Sequence, residues 1–147
     1  MTMSAPYDDI LMDHIKNARN YRAPADATRT ASGSNPLCGD ELTVFLKLKE
    51  NRLEDVAFQC TCCGISMASA SVMTESMAGR SAKEALEAIR AFATQLRTPS
   101  AVPPAAGNAG QQAVLDAVRR FPARRRCALL PWITLEAALE GREQASF

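Results

Sequence analysis

The chain has 147 residues, enough for one domain with a real hydrophobic core and too few for two of ordinary size. Its composition is globular, 47% hydrophobic and 22% charged with 7 Gly and 8 Pro, which excludes a disordered, collagen-like or supercharged polymer. Seventeen basic against sixteen acidic residues leave a net charge of +1, so nothing global points to nucleic acid or a membrane surface as a partner.

Met1 to Leu11 carries Asp8 and Asp9 and lacks the basic and long apolar regions of a signal peptide. No apolar run approaches the roughly 20 residues needed to cross a bilayer. Residues Tyr7 to about Asn20 can form a helix, with Ile10, Leu11, His14, Ile15 and Ala18 on one face. Residues 22–34 are polar, contain Pro24 and Gly33, and read as a loop. Asn35-Pro36-Leu37 is too turn-prone to extend a strand, which puts Cys38-Gly39-Asp40 in a constrained loop.

A strand signal follows: Leu42, Val44, Leu46 and Leu48 alternate with Thr43, Lys47 and Lys49. Glu50-Asn51 is a turn, and residues 53–59 make the second arm of a hairpin that runs straight into three cysteines. The rest reads as helical. Ile65 to Met77 is rich in small residues and closed by Gly79. Ser81 and Glu84 make a capping box ahead of an amphipathic stripe from Ala85 to Leu96. Residues 97–110, with three prolines and two glycines, read as a linker or loop. Gln111 to Arg120 is a short helix, Pro122 interrupts it, and Pro131 suits the first turn of a last helix bearing Trp132, Leu135 and Leu139. This order predicts an α+β fold, a small antiparallel β-sheet covered on one side by helices.

Five cysteines, three of them at positions 60, 62 and 63, make an odd set for a disulfide framework. They fit a cytoplasmic protein whose thiols bind metal or react. Cys38 and Asp40 flank a glycine that lets the turn aim both side chains at one point. With Cys63 and Cys127 they would supply three thiolates and a carboxylate, a sound tetrahedral set for zinc. Spacing alone does not single this set out, because no pair is a zinc-ribbon C-x-x-C with a matching partner. Around Zn²⁺ the set would carry excess negative charge. Arg124-Arg125-Arg126 immediately before Cys127 could offset it, and a helix N-terminus after Cys63 would favour its thiolate.

Plainer readings stand beside these. Cys60 shares a strand face with Val56 and Phe58 and reads as a small buried hydrophobe; Cys62 could be buried or exposed. Cys60 and Cys63 form a C-x-x-C between a strand and a helix, but the βαβ surroundings of a thioredoxin-like protein are missing. His14 reads as a packed core residue rather than a ligand. Met67, Met73 and Met77 read as core filler, and the arginine triplet by default as a solvated patch or a phosphate contact.

Several motifs co-occur in order over roughly positions 7 to 140. Asn35-Pro36-Leu37-Cys38-Gly39-Asp40 resembles the N-P-x-C-G-D of the iron–sulfur scaffold family that includes IscU, the N-terminal part of NifU, and SufU. Residues Cys63 to Ser71 resemble its C-x-x-S-x-A-S-x-S, and Asp13 to Asn20 its D-H-Y-x-N-P-R-N, with Ala18 in place of proline. Phe121 to Cys127 resembles the F-P-A-R-x-K/R-C of the SufU branch. Two features favour that branch: Arg126 stands where IscU-type proteins have a histidine, and segment 97–110 resembles the extra segment of SufU. One feature departs from the family, which usually has glycines where this chain has Cys60 and Cys62.

The resemblance implies a single SufE/IscU-like domain over residues 1–147, with a Pro/Gly-rich insertion at about 97–110. It implies that Cys38, Asp40, Cys63 and Cys127 hold Zn²⁺ and that Cys38 is the sulfur acceptor. A SufS-type cysteine desulfurase would dock, supply a replacement ligand and free Cys38 to attack its persulfide. Arg124 would balance the site's charge or pair Asp40 as the ligands rearrange. The sulfur would pass to a downstream iron–sulfur scaffold. The alternative within the family is a scaffold that builds a [2Fe–2S] cluster on the same four side chains. A third expectation is a structural zinc or redox-thiol module that only binds partners.

Overall fold

The structure, a computed structural model, describes residues 9–98 and 108–147. Its elements run α1 (Asp9–Lys16), β1 (Arg29–Asn35), β2 (Asp40–Lys49), β3 (Arg52–Thr61), α2 (Gly64–Met77), α3 (Ala82–Arg97), α4 (Ala109–Arg120), a 3₁₀ turn (Pro122–Arg124) and α5 (Arg125–Leu139). The three strands form an antiparallel sheet in sequence order, with the helices packed on one face: an α+β fold. Among the described residues no helix is long and apolar enough to cross a membrane.

The predicted hairpin is β2–β3, in register from Glu41 opposite Thr61 to Lys49 opposite Arg52. Its turn residues Glu50 and Asn51 both take positive φ (52° and 64°), as a tight two-residue connection requires. The third strand is a correction. Residues 29–35 lie within the stretch expected to be loop, yet they pair with β2 from Arg29 opposite Leu46 to Asn35 opposite Asp40. The inward positions Ala31, Gly33 and Asn35 alternate with more exposed ones, but none is a large apolar residue. Helix α5 explains this. A Cβ on Gly33 would lie 2.5 Å from Thr134 Oγ1 and 2.9 Å from Leu130 Cδ1, so α5 approaches β1 too closely for any side chain there.

Both sheet edges are covered. Beyond β1, Ser32 N–H donates to Glu143 O and Ala145 N–H to Ser32 O, each at 2.9 Å. Beyond β3, Arg22 N–H donates to Phe58 O at 3.0 Å and the Tyr21 ring meets Phe58 edge-on at 5.2 Å. Such cover removes unpaired backbone from an exposed edge.

Helix α1 is shorter than expected: it ends at Lys16, and Asn20 turns back with φ 60° to bring Tyr21 beside β3. Tyr7 and residues 99–107 of the expected linker lie outside the described residues. Ala109 and Gly110 belong to α4, and Asn108 is its N-cap. Gln111 N–H donates to Asn108 Oδ1 at 2.9 Å and Asn108 N–H to Gln111 Oε1 at 3.1 Å. The Ser81–Glu84 capping box of α3 is present as expected.

The core centres on Trp132 of α5, fully buried against Phe92 at 4.6 Å between rings. Helix α2 threads the core and is buried nearly all round, so its hydroxyls must find partners. They do: Ser69 Oγ donates to Ala128 O at 2.6 Å and accepts from Trp132 Nε1 at 2.9 Å. Ser71 Oγ accepts from Arg19 N–H at 2.9 Å and stands 2.7 Å from His14 Nδ1. His14 is thus a packed core residue. Met73 and Met77 fill core space, while Met67 is only half-buried.

Pro131 does not begin the last helix; it lies inside α5, which starts at Arg125. Its missing N–H leaves the Cys127 carbonyl without its helical donor. Ser66 Oγ supplies one at 2.9 Å, and that bond fastens α5 to the start of α2.

Candidate metal centre

Four segments meet at one end of the sheet. Cys38 lies in the turn between β1 and β2, closed by Cys38 N–H donating to Asn35 O at 3.1 Å. Gly39, at φ 70°, lets the chain double back so that Asp40 opens β2. Cys63 is the N-cap of α2, and Cys127 sits in the first turn of α5. The Cys38 sulfur, an Asp40 carboxylate oxygen and the Cys127 sulfur lie within 4.8 Å of one another. Cys38 Sγ and Cys127 Sγ are 3.3 Å apart.

Cys63 borders this trio. Its N–H donates to Asp40 Oδ1 at 3.0 Å, and its thiol pairs with that of Cys127. Ser66, one helical turn on, shares its one hydroxyl proton between the Cys127 carbonyl at 2.9 Å and Asp40 Oδ2 at 3.3 Å. Asn35 reaches from the end of β1, its Nδ2 3.7 Å from Cys127 Sγ. Asp40 is 1% exposed and Cys127 fully buried, whereas Cys38 is exposed. Leu37 beside it is 81% exposed.

The thiols differ in acidity. The Cys63 thiol is pulled down to about 5, chiefly because the Cys127 thiol donates to it, with the Ser66 backbone and hydroxyl assisting. Its place at the start of a helix acts in the same direction. Cys127 is pushed up, because its proton is held between Cys63 and its other neighbours and its site is buried. Arg124, at the end of the 3₁₀ turn, hydrogen-bonds the Cys127 sulfur and faces all three thiols, so its guanidinium is held charged even more firmly than usual. Arg125 turns away to the Arg97 carbonyl at 3.0 Å, and Arg126 lies over the Phe147 ring at 5.0 Å. The triplet thus splits into three separate roles.

These residues fit a divalent soft-to-borderline cation such as zinc. Two thiols and a carboxylate converge with a third thiol, that of Cys63, at their border; Asp40 is held in place by two donors, and a guanidinium stands beside the thiols. The Asn35 Oδ1 beside them is buried without a hydrogen-bond partner. Asn35 and Ser66 stand in motifs legible in the sequence, but no role attaches to their letters there; the geometry supplies it.

Cys60 departs from expectation. It lies at the rim of the core face as its strand parity requires, yet it is half-buried and joined by a disulfide to Cys62 rather than poised against Cys63.

Comparison with known proteins gives the family. Residues 6–128 match the NifU-like N terminal domain family, and the chain belongs to it. Among individual relatives, it is 34% identical over 137 residues to the zinc-dependent sulfurtransferase SufU of Bacillus subtilis, covering 93% of this chain and 91% of that one. It is 32% identical to the iron–sulfur cluster assembly scaffold protein IscU of Streptococcus pyogenes, covering 95% and 86%. A crystal structure from Fervidobacterium islandicum, of a candidate cluster assembly scaffold for the SUF system, superposes with a TM-score of 0.80 at 32% identity, covering 91% and 96%. The chain is therefore a member of an iron–sulfur cluster assembly family.

Proposed function

We propose that this protein accepts persulfide sulfur from a cysteine desulfurase of the SufS type and passes it to a downstream iron–sulfur scaffold in the cytoplasm. Cys38, Asp40, Cys63 and Cys127 would hold Zn²⁺, which when bound would keep the thiols deprotonated at neutral pH. The observation that carries this reading is an asymmetry: Cys38 is exposed on a surface turn, while Asp40 and Cys127 are buried. One donor can leave the set and meet a partner's sulfur without unpacking the core.

The chemistry belongs to Cys38. Its thiolate attacks the outer sulfur of the partner's persulfide; the partner's S–S bond breaks, its cysteine leaves as thiolate, and Cys38 carries the sulfane sulfur. Arg124 steadies the negative charge of the thiols left behind, in keeping with its bond to Cys127. The SufU relative, zinc-dependent by name and matched over nearly the whole chain, supports the sulfurtransferase reading.

Cys38→Ala is expected to abolish stimulation of a SufS-type desulfurase and the persulfide found at position 38 by mass spectrometry. Full stimulation by that variant would end the acceptor role. The second reading, a scaffold that builds a [2Fe–2S] cluster on the same four side chains, has support from the IscU relatives. Tightly held zinc after purification favours sulfur transfer; iron and acid-labile sulfide that move to an apo-acceptor favour scaffolding.

A further inference from the structure

Three of the five cysteines contribute to the donor set, which leaves Cys60 and Cys62. These two are bonded to each other across the single exposed residue Thr61, with Cα atoms 5.5 Å apart. The backbone at Cys60 is fixed: it pairs with Leu42, and its carbonyl accepts from the Tyr21 hydroxyl at 2.9 Å. Cys62 runs directly into Cys63. The last pair of the β2–β3 register sets Thr61 opposite Glu41, one residue before Cys62 and three after Cys38. Opposite Cα atoms of antiparallel strands lie about 5 Å apart, so the pair and the Cys38 turn occupy the same end of the same two strands.

A ring closed over one intervening residue gains little from chain entropy, and both its residues are only partly buried. Accessible disulfides of this kind are the ones that exchange. When Cys63 and Cys127 are engaged as ligands and Cys38 has left the set to carry sulfur, Cys60 and Cys62 are the only free thiols in the chain.

We propose that Cys60 and Cys62 are a redox couple that reduces the sulfane sulfur carried on Cys38 to sulfide. The proposal rests on the sulfur-acceptor reading above. The Cys62 thiolate attacks the outer sulfur of the Cys38 persulfide. That S–S bond breaks, Cys38 leaves as thiolate, and Cys62 becomes the persulfide. The Cys60 thiolate then attacks Cys62 Sγ, the second S–S bond breaks, HS⁻ departs, and the Cys60–Cys62 disulfide forms. Two electrons pass from two thiols to one sulfur atom; of the two thiol protons, one leaves on HS⁻ and one is released. The bonded pair in the structure is the spent form. An external dithiol, by ordinary exchange, restores it. The product leaves as sulfide, the oxidation level found in a sulfide-bridged cluster.

The test takes the full-length chain, loaded with Zn²⁺, fully reduced and then freed of reductant under anaerobic conditions. One equivalent of glutathione persulfide is added, so loading does not depend on a desulfurase. The wild type is expected to release about one sulfide per chain, with peptide mapping locating the new disulfide at Cys60–Cys62. Cys60→Ser should stall with the sulfur on Cys62. Cys60→Ser with Cys62→Ser should retain it on Cys38, and Cys38→Ala should release sulfide on the order of tenfold more slowly, because the step becomes intermolecular. Equal release by the double variant or by Cys38→Ala, no sulfur uptake at Cys38, or a disulfide between Cys38 and Cys127 would overturn the proposal. If the small persulfide loads Cys38 but a desulfurase does not, the acceptor reading fails while the couple stands.

Discussion

The seam between α2 and α5 and the turn that carries Cys38 contribute to the same donor set, yet they are built in opposite ways. The seam is dry and cross-braced: Ser66 and Ser69 each donate to a carbonyl of α5, and Trp132 returns a hydrogen bond to Ser69. The turn is closed by a backbone bond from Cys38 to Asn35 and carries an exposed Leu37 and an exposed thiol. A fixed half and a releasable half in one cluster suit the proposed function, in which an ion would stay bound while one thiol reacts.

The sharpest way to break this contrast is to hollow out the seam. Trp132→Ala should cost about 3–5 kcal/mol in denaturant unfolding of the metal-free chain, against almost nothing for changes in the turn. A subtler cut is Ser66→Ala, which strands the buried Cys127 carbonyl and removes a donor from Asp40. It should cost about 1–3 kcal/mol. Adding Pro131→Ala to that variant restores an N–H for the same carbonyl, so a double-mutant cycle should show partial rescue. Additive losses instead would mean that the Pro131–Ser66 exchange does not brace the seam.

A pH titration examines the far side of α2. Burial, with the Arg19 charge beside it, holds His14 below its ordinary 6.5. As pH falls, the unfolded chain takes up that proton before the folded one does. Stability is therefore intact above about pH 6.5 and lost as the pH drops toward the lower folded value. The urea midpoint should decline over that window, and His14→Gln should flatten the decline. The smallest effects belong to the turn. Cys38→Ala and Leu37→Ser should leave the metal-free unfolding midpoint within about 0.5 kcal/mol of wild type, even where the former abolishes sulfur acceptance.

The two regions also differ in how far they could be read from the residues. The β2–β3 hairpin showed in its alternation, and the α3 boundary in its Ser81–Glu84 box, because both signals are local. Strand β1 was invisible: its inward positions are Ala31, Gly33 and Asn35, small or polar because α5 presses on them, and α5 lies about a hundred residues away in sequence. The donors were named through their motifs, and the structure gathers the Cys38, Asp40 and Cys127 donor atoms, with Cys63 bordering them. The parts played by Ser66 and Asn35 could not be read, since each depends on a contact across 61 or 92 residues. Pro131 was misplaced for the same reason, because the donor that lets it sit inside a helix comes from α2.

The strap laid along β1 by residues 143–145 has a practical side. That strand leads into the Cys38 turn, so a protein cut back to the end of α5 would present a bare ladder of amides next to an exposed thiol. Such material is expected to polymerise edge to edge and to form intermolecular disulfides. Purification handles are therefore better attached at the other terminus.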